Sequence, residues 1–113
     1  MGTITPVVTN PVRGITKVVW SDLSDGDTAL AERLPHMAEK SVQVDVTSGT
    51  PTCIIEGSND NTTFSGLNDP AVAPLSFTSD GLDEILENPE FIRPRVSSGS
   101  GTVTVTIIAH ANR

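Results

Sequence analysis

The feature that most constrains the fold is a strict alternation of apolar and polar residues in two stretches. The first is SVQVDV at 41–46 and the second is TVTVTI at 102–107. Successive side chains of a β-strand point to opposite faces, so each stretch predicts a strand with one buried face. The residues that this alternation places in a core are Val42, Val44, Val103, Val105 and Ile107.

Further short runs of β-branched residues, separated by Gly, Asn, Asp and Pro, follow at roughly ten-residue spacing. The predicted strands cover 15–20, 41–49, 51–58, 62–67, 74–81, 91–96 and 102–109. This spacing predicts an all-β fold: a single antiparallel β-sandwich (jelly-roll or immunoglobulin-like) or barrel of about seven to eight strands. Helix formers occur at 28–40, and 82–90 could form one irregular turn, so we expect at most two short helical turns.

The 113 residues suffice for one domain. Residues 1–14 contain Pro6 and Pro11, which prevent a helix and favour extended backbone. We therefore divide the chain into an extended N-terminal arm, 1–14, and a β-sandwich domain, 15–113. The arm has too few apolar residues to form its own core. The residues expected to be buried only in an assembly are Val7, Val8 and Val12.

The composition argues against several classes of partner. Seven Lys and Arg against fourteen Asp and Glu give a net charge of −7, which disfavours nucleic acid because phosphate binding depends on basic residues. We expect no membrane partner either, since there is no apolar run of about 20 residues and no basic amphipathic stretch. The first ten residues lack the charged and apolar regions of a secretory signal. The single cysteine, Cys53, cannot form an internal disulfide.

The polar stretch GSNDN at 57–61 has two interpretations. Asn and Asp favour turns, so it can join two strands. It could also hold calcium through Asp60 with Asn59, Asn61 or Asp69, but it lacks the ordered spacing of a calcium loop. A turn is favoured.

Other candidate groups for chemistry are weaker. The loop at 21–27 holds three carboxylates, Asp22, Asp25 and Asp27, which suits either a solvated loop or a hard cation. His36, His110 and Cys53 are zinc ligands in principle but lack ligand spacing, and Cys53 lies in an apolar run where cysteine acts as a small hydrophobe. We therefore expect no metal, no cofactor, no catalytic residue and no enzymatic activity.

Arg93 and Arg95 flank Pro94 in a predicted strand, so both side chains point to the same face. Pro94 has no N–H to donate, which places this strand at an edge or a bulge. Two guanidinium groups on an acidic protein require carboxylates. Either they pair within the chain, or they contact a subunit or another partner.

Three segments in this order resemble small virion proteins of tailed bacteriophages: IIEGSNDNTTFSGLND, LSFTSDGLDEI and NPEFIRPRVSSGSGTVTVTIIAHANR. The resemblance covers about 41–113, with VRGITKVVW and GD upstream. Such proteins look like head decoration, or cement, proteins, which sit outside a capsid lattice, commonly as trimers. The pattern often has Gly and then Trp after SNDN, where this chain has Thr62, Thr63 and Phe64.

The resemblance implies a structural virion protein that binds the major capsid protein on the outer surface of a phage head, stabilises the lattice and forms a homotrimer. Assembly in the host cytoplasm suits the lack of disulfides. Two alternatives are open: a tail, baseplate or fibre subunit, and a carbohydrate-binding virion module. The second would usually show exposed aromatic residues, and this chain has only four.

Overall fold

The computed structural model describes residues 2–34 and 37–111, and within these ranges all regular structure is β-strand. The strands, in chain order, are β1 (Thr3–Ile4), β2 (Val7–Thr9), β3 (Ile15–Leu23), β4 (Thr28–Ala29), β5 (Glu32–Arg33), β6 (Met37–Gly49), β7 (Thr52–Ser58), β8 (Ser65–Gly66), β9 (Ser76–Phe77), β10 (Gly81–Ile85), β11 (Phe91–Ser98) and β12 (Gly101–Ala111). The predicted all-β class is confirmed.

The strands form two antiparallel sheets. The first sheet has the order β10-β6-β12-β3-β2, and its centre is the long β6–β12 ladder. The second has the order β5-β11-β7-β8, with β9 also paired to β7. A short parallel pair, β1 with β4, lies outside both sheets. All seven predicted strand segments contain strands, although those at 62–67 and 74–81 shorten to two residues each, β8 and β9.

The core lies between the inner faces of the two sheets. Val42, Val44, Val103, Val105 and Ile107 are all at most 1% exposed, as the alternation predicted. Ile55 and Ile92 close the core from the second sheet, and the single Trp, Trp20, is fully buried from β3. The indole N–H of Trp20 donates to the backbone oxygen of Leu30 at 2.8 Å, so this large side chain has no unpaired polar group.

The described residues contain no helical turn, which lies within the expected limit of two. In 28–34 the chain forms β4 and β5, and Ala29 and Leu34 are buried in the core. In 82–90 it forms most of β10, which pairs with β6 along its whole length. Pairing and burial outweigh helix propensity here, which is a weak preference. The stretch 28–40, where helix formers occur, also contains 35–36, which lie outside the described residues.

The segment 1–14 is extended, and its two strands pair with the same chain. β1 lies beside β4, and β2 forms the edge of the first sheet by pairing with β3. Ile4 packs against the core, and the Gly2 N–H donates to the Asp27 carboxylate at 2.9 Å. The division into an arm and a sandwich domain stays a prediction.

Pro94 lies where the sequence placed it, at an edge. Its strand, β11, is flanked by β7 along its length, but β5 reaches only as far as Ile92. Beyond Ile92 that side of β11 has no paired strand among the described residues, so the missing N–H of Pro94 breaks no ladder there.

Candidate functional site

The outer face of the second sheet carries a cluster of charged residues built by strand register. Arg93 of β11 lies directly opposite Glu56 of β7, and Arg95 lies one step along on the same face. Arg93 Nε donates to Glu56 Oε1 at 3.1 Å, and Arg95 Nε donates to Glu56 Oε2 at 2.9 Å. One carboxylate therefore bridges two guanidinium groups.

Burial differs among these three side chains. The Glu56 side chain is only 8% exposed, whereas Arg93 and Arg95 are 25% and 45% exposed. The Arg93 guanidinium lies 3.7 Å from the centre of the Phe64 ring. This cation–π contact covers one face of the guanidinium. The carboxylate is thus enclosed, and the arginines form the rim around it.

A third arginine extends this surface. Arg33 of β5 lies opposite Phe91, on the same outer face, and its Nε is 2.7 Å from a carboxylate oxygen of Glu90. We call Arg33, Arg93 and Arg95 the arginine face. Within the described residues, Arg93 and Arg95 make ion pairs only through Nε and only with Glu56. The expected pairing within the chain is therefore present, and contact of Arg93 and Arg95 with a partner stays a prediction.

The three arm valines lie at the β2 edge of the first sheet and in the loop that joins β2 to β3. Val7 and Val12 are each 61% exposed and Val8 is 43% exposed. Val7 and Val8 belong to β2, while Val12 lies in the loop before β3. Their burial in an assembly remains a prediction.

The GSNDN stretch forms a turn that is closed by its own side chains. Ser58 Oγ donates to Asp60 Oδ1 at 2.7 Å and accepts the N–H groups of Asp60 and Asn61. Asp60 Oδ1 also accepts the N–H groups of Thr62 and Thr63, both at 2.9 Å. These bonds, that from Thr63 above all, lower the pKa of Asp60 to about 2. The favoured turn interpretation is confirmed, and Asn61 adopts the left-handed conformation that such turns use.

The acidic loop after β3 is also held by local bonds. Asp27 accepts the Ser24 N–H and hydroxyl, each at 3.0 Å, as well as the Gly2 N–H. The bonds from Ser24 keep the pKa of Asp27 below its usual value. Asp22 and Asp25 are exposed. No three His, Cys, Asp or Glu side chains of the described residues group as potential metal ligands.

Cys53 is fully buried and belongs to the core, where it acts as a small hydrophobe. Burial raises the pKa of its thiol to about 12. His110 lies on the outer face of β12, exposed to solvent, whereas Cys53 faces the interior. His36 lies outside the described residues, so its place in a zinc site has no structural description.

Glu56 is the central residue that sequence reasoning missed. It follows the apolar run Cys53–Ile55, and only the pairing of β7 with β11 brings it against both arginines. The available signal was its alternation with Ile55, a core residue, which points Glu56 outward toward the face on which Arg93 and Arg95 lie.

The fold has counterparts among solved structures, although no protein-family model matches the chain and no curated protein matches its sequence. The SPBc2 prophage-derived protein YomS aligns with a TM-score of 0.61 and 15% identity, over 89% of this chain and 98% of its own. At this identity the likeness shows a common fold. A prophage-derived protein thus has this fold, which agrees with the resemblance to phage proteins. The shared fold does not test a decoration role.

Three further similarities are weaker. A protein of the disulfide-linked pili of Bacillus endospore appendages aligns with a TM-score of 0.44 and 13% identity, over 96% of this chain and 91% of its own. The iron(II) form of the enzyme HppE aligns with a TM-score of 0.49 and 12% identity, over 92% of this chain and 50% of its own. The chain spans about half the length of that enzyme. Hydroxypropylphosphonic acid epoxidase from S. wedmorenis aligns with a TM-score of 0.45.

The enzyme comparison corrects one prediction. The lack of paired catalytic residues in the sequence predicted that the chain is not an enzyme, and this prediction is contradicted by an iron enzyme among the structures similar to the chain. Activity depends on the site and not on a recognisable motif, so the absence of a motif did not justify the exclusion. At TM-scores below 0.5 the likeness carries no argument for an activity of this chain.

Proposed function

We propose that the chain is a structural protein of a phage virion, and more specifically a decoration protein on the outer surface of the head. Its partner is the major capsid protein, and it is assembled in the host cytoplasm and acts as a homotrimer. Three observations support this proposal: the ordered motifs between 41 and 113, the all-β fold that it has in common with a prophage-derived protein, and the dense pairing of strands.

The observation that carries the proposed contact is the exposed apolar edge formed by Val7, Val8 and Val12. Val7 and Val8 lie on the edge strand β2 and Val12 in the loop after it, and such water-exposed valines are unfavourable in an isolated molecule and favour a covering partner. Burying each would contribute on the order of 1 kcal/mol. Because many copies repeat over a capsid lattice, such small contributions would combine to hold the coat in place.

The carbohydrate-binding alternative has less support. A sugar-binding surface usually offers exposed aromatic rings, but Trp20 is fully buried, and Phe64, Phe77 and Phe91 are each partly covered. Phe64 already stacks on Arg93. A candidate cleft of about 450 Å³ beside the GSNDN turn is lined mainly by polar groups, with Leu67 and Pro89, and without an aromatic residue. The described structure also contains no helix long and apolar enough to cross a membrane.

The test is binding of purified protein to undecorated heads, with occupancy counted by gel densitometry. Deleting 1–12 would remove β2 and the Ile4 contact, so point substitutions are the better perturbation. The double variant Val7→Ser/Val12→Ser should keep the fold and lose most of its occupancy. Val72→Ser is a matched control, since Val72 is 68% exposed on the loop between β8 and β9.

Two results would contradict this proposal. If the double variant and the control occupy heads equally, the N-terminal edge is not the contact. If the wild-type protein binds purified tails and leaves heads bare, the head assignment is wrong.

A further inference from the structure

The first sheet ends at β10, an edge strand that combines free backbone groups with exposed apolar side chains. Within the described residues, β10 pairs only with β6. Leu82 on this strand is 72% exposed, and Leu86 directly after it is 45% exposed. A free edge of this kind is a template for pairing with another chain, and native sheets usually block such edges.

The chain itself occupies most of the backbone donors along this edge. The Leu86 N–H donates to the carbonyl oxygen of Asn68 at 2.9 Å. The N–H groups of alternate residues point to the same side of a strand, so those of Leu82 and Glu84 also point away from β6. The Glu84 N–H donates to the side chain of Asp83 at 2.9 Å. Only the Leu82 N–H is then left for a further strand.

The adjoining stretch of β6 is closed in the same way. β10 begins at Gly81, opposite Val44, so Val46 lies beyond the end of that pairing. The Val46 N–H donates instead to Asp80 Oδ1 at 2.8 Å. Two aspartates therefore supply side-chain oxygens at positions where another strand would supply backbone carbonyls.

The position of Asp83 adds a second obstacle to pairing. Asp83 lies opposite the core residue Val42, on the inward side of β10, and it is half-buried. One antiparallel register uses both outward donors of two β10 strands, and it pairs Leu82 of each copy with Glu84 of the other. This register places Asp83 directly opposite its counterpart, with Cα atoms about 4.5 Å apart. Like charges directly opposite each other across two strands are destabilising.

We propose that Asp83 keeps the β10 edge closed to strand addition by a second copy of the chain. Its side chain occupies the Glu84 N–H that the second copy would need, and its charge opposes the register in which two copies would pair. This closure concerns the β10 edge, whereas the proposed head contact uses the β2 edge at the other end of the same sheet.

The test compares variants of the purified full chain. Asp83→Val removes both the acceptor and the charge, and it adds a side chain that favours strands. It should raise the constant for association through β10 by about tenfold or more over the wild type. Asp83→Asn keeps an oxygen acceptor and removes only the charge, so its association constant should lie between the two. Asp45→Val is the matched control, since it makes the same change at an exposed position of β6 and should associate like the wild type.

Sedimentation velocity over a concentration series measures association, and amide hydrogen exchange followed by NMR identifies the edge that is used. In dilute Asp83→Val, the Glu84 amide should exchange faster than in the wild type, because its acceptor is gone. At higher concentration the Leu82 and Glu84 amides should become protected together, because each then donates to the other copy. In the wild type, exchange of both amides should not depend on concentration.

The proposal is overturned if folded Asp83→Val associates no more strongly than Asp45→Val, or if it associates without protecting the Leu82 and Glu84 amides. It is also overturned if the wild type already pairs through β10. If Asp83→Val does not fold, Asp83→Asn decides, and association no stronger than that of the wild type refutes the role of the charge. Because the test uses isolated protein and a different edge, its outcome is independent of the head-binding proposal.

Discussion

Glu56 should contribute more to stability than either arginine that it binds. The perturbation is Glu56→Gln, which keeps the size of the side chain and removes its charge. Arg93 and Arg95 then lose their common counterion, and Arg93 is held partly buried against Phe64. Removing one partner of a fully buried ion pair costs about 3–5 kcal/mol.

The arginines are 25% and 45% exposed, so water compensates part of that loss. We therefore expect Glu56→Gln to lower the free energy of unfolding by about 2 kcal/mol. Arg95→Ala leaves Glu56 paired with Arg93 and should cost about 1 kcal/mol. The order of these two losses follows directly from the geometry, in which one enclosed carboxylate serves two rim arginines.

Urea unfolding, followed by the fluorescence of the single and fully buried Trp20, measures both losses. Asp45→Asn is the matched control, since Asp45 is an exposed carboxylate on β6 and should change stability by less than about 0.5 kcal/mol. The prediction is wrong if Glu56→Gln lowers the free energy of unfolding no more than Asp45→Asn does. It is also wrong if Arg95→Ala lowers that free energy as much as Glu56→Gln.

Three further predictions concern the turn, the packing beside it and the thiol. The carboxyl group of Asp60 should titrate near pH 2 by NMR, so the stability it contributes is complete above its unfolded value of 3.8 and is lost as pH falls through about 2. Ser58→Ala should raise this pKa by removing one donor, and titration of the wild type near 3.8 would contradict the turn geometry. Gly57→Ala should cost about 1–3 kcal/mol in thermal or urea unfolding, because its Cβ would come within 2.5 Å of Pro89 Cγ; a neutral effect would show that this contact is loose. Cys53, with its pKa raised to about 12, should not react with a thiol reagent at pH 8 until urea unfolds the chain; rapid labelling of the native protein would mean that the core opens there.

The strands were predictable where alternation and burial agree. At 41–46 and 102–107 every second residue is apolar, and these residues form the centre of the first sheet. β10 was harder to predict, because its inward positions are Gly81, Asp83 and Ile85, of which only the last is a large apolar residue. Its strand form depends on pairing with β6, a partner distant in sequence, and local propensity carries little of that information.

The site was predictable in part for the same reason. The spacing of Arg93 and Arg95 determines that both point to one face, which the structure confirms. Their carboxylate partner, Glu56, is 37 residues from Arg93 and is selected by the register of β7 against β11. Register between strands that are not joined by a tight turn is set by packing of the whole core, so the sequence alone left the partner open among fourteen acidic residues.

A density map of the intact virion by electron cryomicroscopy tests the proposed function most directly. The account predicts a β-sandwich at repeated positions on the outer surface of the head, with the edge formed by Val7, Val8 and Val12 against the major capsid protein. Bare heads, with matching density in the tail or baseplate, would contradict it.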